Sequence, residues 1–223
     1  MWFAVEELLS PAQARDLSQQ LIGERQGWTA GGHTAGWHAR RVKHNRQLHR
    51  ACALHRRLAP QVRRALMEHP LVLSAALPLR LHGLLFSRCG PGDGYGLHLD
   101  NAFMGGGRSD LSFTLFLSDP DAYEGGDLVL DTPSGEHRVR LPAGHAYVYP
   151  STLLHQVLPV RRGERIAAVG WIQSRVRQED QRDLLFELDT ARRALFQQQG
   201  SGEIFDLINR AYTNLLRRWG ESD

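Results

Sequence analysis

Between residues 79 and 173 the apolar positions recur with a period of two, in short runs separated by clusters of glycine, proline and aspartate. Successive side chains of an extended segment point to opposite faces, so this stretch reads as a series of strands joined by turns. The pattern places strands at 79–89, 97–100, 111–117, 127–130, 137–141, 145–149, 155–159 and 165–173. Strands of this length and spacing predict a jelly-roll barrel or sandwich. A chain of 223 residues, 42% of them hydrophobic, fills one such core with appendages and is too short for two large domains.

The flanks read as helix. Ser10-Pro11-Ala12-Gln13 has the form of an N-cap, a proline at the first helical position and a capping-box glutamine, and the apolar stripe that follows ends at Gly23. A second helix is expected over 47–68, with Leu48, Cys52, Leu58, Val62 and Leu66 inside and Pro60 kinking or dividing it. The glycine-rich run 27–38, with Trp28 and Trp37, reads as an irregular segment bordering a pocket. Beyond Val176, Leu184, Leu188, Ala191 and Leu195 form one stripe and Ile204, Leu207, Ile208, Leu215 and Trp219 another, split by Gly200. The expected class is therefore mainly β with flanking helices: an N-terminal helical scaffold (1–77), a jelly-roll (78–175) and a C-terminal helical hairpin (176–223) that docks on the barrel or pairs two copies in a homodimer.

The first residues lack the basic and apolar regions of a secretory signal, and no apolar run is long enough to span a bilayer, so a soluble, cytoplasmic protein without membrane contacts is expected. Two cysteines, Cys52 and Cys89, suit a reducing compartment and are too few for a disulfide framework or a cysteine-rich zinc site. A net charge of +3 is weak support for nucleic-acid binding, because Lys43 is the only lysine among 27 basic residues, a bias of composition more than a phosphate-binding surface. Locally, no acidic residue occurs between Glu24 and Glu68, whereas Arg40, Arg41, Lys43, Arg46, Arg50, Arg56, Arg57, Arg63 and Arg64 accumulate there. That block suits a solvated helix face, or an anionic partner or substrate.

Within the β region, His98 and Asp100 stand at i and i+2, on one side of an extended segment, with Leu99 turned away. A lone His155, on a neighbouring strand, would complete two histidines and a carboxylate on one face of an octahedron. Arg165 follows ten residues later as a fixed cation, a distance that places it on the strand adjacent to that of His155. That set suits iron(II) with a 2-oxo acid. About 0.6 His-x-Asp triplets are expected by chance, so the context, a strand end beside the 90–94 turn, carries the weight. His82, His137 and His145 are expected to be ordinary core or surface histidines. Tyr95, three residues before His98, is expected on the opposite face of a regular strand, in a pocket or core role, Asn101 to cap the following turn, and Trp171 to fill the barrel more than to wall the pocket.

The runs Tyr95-Gly96-Leu97-His98-Leu99-Asp100-Asn101, 108–120, Glu124-Gly125-Gly126-Asp127-Leu128, 149–157, Gly163-Glu164-Arg165-Ile166-Ala167 and 171–174 together resemble the bacterial PKHD-type hydroxylases, Fe(II)- and 2-oxoglutarate-dependent dioxygenases related to prolyl and lysyl hydroxylases. The segment 185–189 resembles the family's C-terminal helices. The resemblance implies a double-stranded β-helix in which His98, Asp100 and His155 bind iron, Arg165 binds 2-oxoglutarate, and L-ascorbate serves as reductant. A guanidinium grips a carboxylate through two parallel hydrogen bonds, in agreement with that role. Asp100 also argues for hydroxylation, since related halogenating enzymes lack the carboxylate. The chain departs from the family pattern at Cys89, where a tyrosine is common, and at Phe116, which has no hydroxyl, so the second partner of the distal carboxylate stays open. An ion pair of Arg165 with Glu164 is the competing structural reading.

The implied reaction hydroxylates a peptide side chain or a small molecule, in a setting that includes bacterial iron uptake, with O2 consumed and succinate and carbon dioxide released. A metal-dependent hydrolase using the same three ligands, or a non-catalytic sensor of metal and 2-oxo acid, are the alternatives from other classes.

Overall fold

The computed structural model describes residues 1–34 and 39–222; Trp37 and His38, expected to border a pocket, lie outside the described residues. The chain opens with β1 (Phe3–Val5) and α1 (Pro11–Gly23), and α1 begins as its sequence dictates. The Ser10 hydroxyl accepts from the Gln13 N–H while the Gln13 side chain accepts from the Ser10 N–H. Next come β2 (Trp28–Ala30), β3 (Lys43–His44), β4 (Arg46–Leu48), α2 (Ala53–Glu68) and α3 (Pro70–Ala75). The helix expected from 47 thus starts at Ala53, because Arg46 and Gln47 pair with Arg88 and Ser87 as strand residues. The 1–77 segment, expected to be helical, therefore also supplies four strands. Pro60 stands inside α2 without dividing it. An interior proline costs about 3 kcal/mol, whereas Leu58, Val62 and Leu66 are fully buried against the sheet, each contributing roughly 1.5–3 kcal/mol. Packing wins.

The β region runs through β5 (Pro78–Cys89), β6 (Gly94–His98), β7 (Phe103–Met104), β8 (Gly107–Arg108), β9 (Leu111–Phe116), β10 (Tyr123–Gly125), β11 (Leu128–Thr132), β12 (Gly135–Val139), β13 (Ala146–Pro150), β14 (His155–Val157), β15 (Val160–Gly163) and β16 (Arg165–Ser174). Among the described residues a seven-stranded antiparallel sheet has the order β1-β13-β9-β16-β5-β4-β2, and a five-stranded one the order β12-β11-β14-β6-β3. These sheets form the jelly-roll core. The short strands at 103–104, 107–108, 123–125 and 160–163, which form two ribbons outside the main sheets, carry too few residues for a period to show.

Alternation divides the larger sheet into two faces. Leu84 and Phe86 of β5, Phe113 and Leu115 of β9, and Ile166, Ala168 and Ile172 of β16 join Leu17, Leu21, Leu58 and Val62 of the helices in one core. Their neighbours Leu85, Ser87, Cys89, Ser112, Thr114, Arg165, Val169 and Trp171 turn toward the smaller sheet and line a cavity with it. Because both faces are covered, β9 is buried at every position.

After β16 come α4 (Glu179–Gln199) and α5 (Glu203–Trp219), the expected hairpin, broken at Gly200 with φ of +73°. Leu185 and Tyr212, with Leu188, Leu215 and Trp219, pack on Leu77 and Val176. The stripes read from sequence are shifted: Leu184 and Leu207 are 49% and 55% exposed. Two buried polar groups account for the rotation of α4. Arg182 donates to the Val176 and Arg177 carbonyls, and Asp189 takes Ser74 of α3 together with Arg192 and Arg193. Turning Leu184 inward would strand both. No helix among the described residues is long and apolar enough to cross a membrane.

Candidate metal centre

His98 closes β6 and pairs directly across from His155, the first residue of β14. The expected strand at 97–100 lies further upstream, at 94–98, so Asp100 sits in the loop just past its end. The three residues nonetheless converge, with one ligand atom from each lying within 4.8 Å of the others. His155 Nε2 is 3.7 Å from Asp100 Oδ2, and the two imidazole centroids are 4.2 Å apart.

Backbone geometry presets the donors. His98 Nδ1 lies 2.8 Å from the Gly96 carbonyl and His155 Nδ1 lies 3.0 Å from that of Leu153, so each Nδ1–H donates to the chain and each Nε2 keeps its lone pair toward the cluster. Ser112 Oγ donates to Asp100 Oδ2 at 2.6 Å and meets Ser151 Oγ at 2.8 Å, which fixes the rotation of the carboxylate. Both histidines are 5% exposed. Burial, and then the neighbouring His155, push the His98 imidazole below its usual range, so it stays neutral and able to coordinate.

Tyr95 departs from expectation. The ladder between β14 and β6 matches His155 to His98 but Val157 to Tyr95, an irregularity that brings the Tyr95 ring onto the His98 side. The two rings stack with centroids 3.5 Å apart, and Lys43 Nζ lies 4.9 Å from the centre of the tyrosine ring. Of the two roles read for Trp171, it takes that of walling the cavity. His82 and His137 stand outside the cluster, bound to the Arg108 carbonyl and to the Tyr147 hydroxyl.

Arg165 opens β16, in the sheet facing His155 and not on an adjacent strand. Its side chain is 2% exposed, and its Nε and Nη2 have no hydrogen-bond partner. Glu164, the competing ion-pair partner, is taken by Arg88 through contacts of 2.6 to 3.0 Å. The guanidinium lies over the Phe116 ring at 5.4 Å and across the ladder from Cys89. Beside it, the Tyr123 hydroxyl is also buried without a hydrogen-bond partner. Burial raises the Tyr123 pKa, with the Arg165 charge pulling the other way. A side chain at Gly126 would meet Val160 at 3.0 Å, Arg165 at 3.1 Å and Tyr123 at 3.2 Å, so the glycine makes room for this group.

The cavity between the sheets measures about 260 Å³ and brings the triad and Arg165 together. Sequence reasoning missed Ser112, Ser151, Tyr123 and Tyr149, whose importance comes from register across strands distant in the chain. Tyr149 packs edge-on to His155 at 5.1 Å, and burial keeps its phenol neutral.

Comparison with known proteins agrees with this geometry. Residues 84–173 match the 2OG-Fe(II) oxygenase superfamily and residues 179–221 the PKHD-type hydroxylase C-terminal domain. A PKHD-type hydroxylase of Synechococcus elongatus is 49% identical over 99% of this chain and 100% of its own length. One from Maricaulis maris is 49% identical over 95% of both chains. Among solved structures, a Pseudomonas putida prolyl-4-hydroxylase shares 25% identity at a TM-score of 0.51, covering 78% of this chain and 92% of its own. A Trichoplax adhaerens prolyl hydroxylase shares the fold at a TM-score of 0.58 and 17% identity, over 82% of this chain and 86% of its own. Identity at this level over the full chain, together with a His-Asp-His cluster in a jelly-roll, shows that the chain belongs to the PKHD-type hydroxylases, oxygenases of the 2OG-Fe(II) superfamily.

Proposed function

We propose that His98, Asp100 and His155 hold iron(II), that Arg165 and the Tyr123 hydroxyl hold the distal carboxylate of 2-oxoglutarate, and that the enzyme hydroxylates a peptide side chain or small molecule with release of succinate and carbon dioxide. The observation that carries this reading is one cavity containing both a three-donor cluster and a buried guanidinium with two unpartnered nitrogens. Two neutral imidazoles and a carboxylate are the donor set that suits iron(II) with open positions. A buried cation with unsatisfied N–H groups is complementary to a carboxylate, and a phenol beside it adds a further donor.

When bound, iron(II) and 2-oxoglutarate would activate O2, the oxidant, with one oxygen atom going to the substrate C–H bond and the other to succinate. The chain's residues bind, orient and exclude water. The Gly96 and Leu153 carbonyls hold the two imidazoles, and Ser112 holds the carboxylate. Leu85, Leu128, Val169 and Trp171 give the cavity an apolar wall that keeps competing water away from the reacting carbon. In this reading residues 78–175 carry the chemistry on a frame made by 1–77 and 176–223, ascorbate keeps the metal reduced, and a cytoplasmic setting suits the two free cysteines. A role linked to iron uptake belongs to the same proposal.

The test is succinate formation from 2-oxoglutarate by the purified protein supplied with Fe(II), ascorbate and O2. Metal-dependent succinate release is expected. A metal hydrolase would ignore the oxo acid and a sensor would bind it without consuming it; either result would displace the proposal.

A further inference from the structure

Part of the basic block between Glu24 and Glu68 is spent on structure. Arg57 donates to Gln20, and Arg63 to the Leu81 carbonyl, both from α2. The same segment also turns into the cavity from two sides: Lys43 of β3 lies in the smaller sheet beside Tyr95, whereas Asn45, Gln47 of β4 and Arg50 come from the stretch that packs along β5 of the larger sheet. Lys43 is the chain's only lysine, in a sequence that uses arginine at every other basic position. Its compact ammonium lies over the ring that stacks on His98. Arg50 is exposed, so it marks the cavity's outer edge.

Among the described residues lining the cavity, Asp100 is the only carboxylate. Iron(II), Asp100, doubly charged 2-oxoglutarate and Arg165 balance one another, and Lys43 and Arg50 add two basic groups to the lining; burial lowers the Lys43 pKa to about 8, which leaves its ammonium largely protonated at pH 7. Leu85, Leu99, Met104 and Trp171 add apolar surface around the same space. Two cationic side chains, amide donors and apolar side chains around one cavity select a molecule with an anionic oxygen head and an apolar body.

We infer that the substrate of this enzyme bears an oxyanion, a carboxylate or a phosphate, that docks on Lys43 and Arg50, beside an apolar portion held by Leu85, Leu99, Met104 and Trp171. The inference rests on the functional reading above and names the substrate class for the same site. Lys43 and Arg50 fix which molecule enters and how it lies; they are positioning residues and take no part in the redox step.

The experiment uses full-length protein loaded with Mn(II) and 2-oxoglutarate, with hexanoate, hexyl phosphate, hexanamide and hexylamine as probes that differ only in the head group. Paramagnetic broadening of each probe's proton resonances reads binding near the metal, and broadening of 2-oxoglutarate is followed in parallel. One or both anions should bind at least tenfold more tightly than the amide or the amine, and the comparison of hexanoate with hexyl phosphate identifies the head group. Lys43→Met and Arg50→Met should each weaken the anion at least fivefold, Lys43→Arg should retain most of the affinity, and 2-oxoglutarate should bind as in the wild type. Arg50 is exposed, so its variant remains informative if Lys43→Met fails to fold. Equal binding of the amide, anion binding unchanged in Lys43→Met and Arg50→Met, or loss of 2-oxoglutarate from either variant would overturn the inference while leaving the functional reading in place. A protein that binds neither Mn(II) nor 2-oxoglutarate would overturn both.

Discussion

Replacing Arg165 by methionine should move two properties in opposite directions. The guanidinium is 2% exposed, and its Nε and Nη2 are buried without partners. In the ligand-free protein those two N–H groups are desolvated without compensation, at about 1–3 kcal/mol each. Against this stands the contact with Phe116 at 5.4 Å, worth roughly 0.5–2 kcal/mol. Methionine fills similar space with no charge, so on these figures the variant should be more stable by up to about 5 kcal/mol, each kcal/mol raising Tm by about 2–4 °C in a chain of this size. Binding of 2-oxoglutarate should suffer the reverse. Its distal carboxylate would be buried without the paired cation, a loss of about 3–5 kcal/mol, or roughly a hundredfold to a thousandfold or more in Kd. Differential scanning calorimetry of the ligand-free protein and calorimetric titration of the Mn(II) form with 2-oxoglutarate read the two effects separately. A 2-oxoglutarate Kd within threefold of the wild type would refute the assignment of Arg165. A lower Tm in the ligand-free variant would show that the guanidinium already has compensating partners.

Three further outcomes are expected. Ser112→Ala removes the bond to Asp100 Oδ2 and should weaken iron(II) about 10–100-fold in chelator competition, as loss of a hydrogen bond to a ligand does; unchanged affinity would make that bond incidental. Gly126→Ala places a methyl group 3.1 Å from Arg165 at φ of +69°, so it should cost roughly 1–2 kcal/mol in backbone strain and raise KM for 2-oxoglutarate more than it lowers kcat. The metal-free protein should lose stability on acidification, because burial lowers the pKa values of His55 and His98. Both stay neutral in the fold while the unfolded chain takes up protons below about pH 6.5, so the unfolded state binds more protons and Tm falls from that pH downward. A Tm that is flat or rises between pH 7 and 5 would contradict the burial of these imidazoles.

The parts of this molecule legible in its sequence are those governed by local periodicity. The alternation over 79–89 and 165–173 located the two long central strands, and Ser10 and Gln13 located the start of α1. His98 and Asp100 could be read together because two-residue spacing keeps them on one side even where the strand ends between them. Tyr95 was misplaced because a ladder irregularity is set by the partner strand, and β4 because three residues carry too little period to override a helical pattern. Arg165 was read onto the wrong neighbour: the chain crosses from one sheet to the other between His155 and Arg165, which spacing along the chain does not reveal. Lys43, Ser112 and Tyr123 meet the site only through pairings between distant segments.

The most direct measurement is an oxygen-free titration of the protein with Fe(II) and 2-oxoglutarate, followed by the visible charge-transfer absorbance of the iron–oxo acid complex. The wild type should develop the band at one equivalent of iron, and folded His98→Ala, Asp100→Ala and His155→Ala should each lose it, since each removes one of three converging donors. A wild-type protein without the band, or a variant that keeps it at wild-type iron affinity, would contradict the assignment of the three residues as the metal centre.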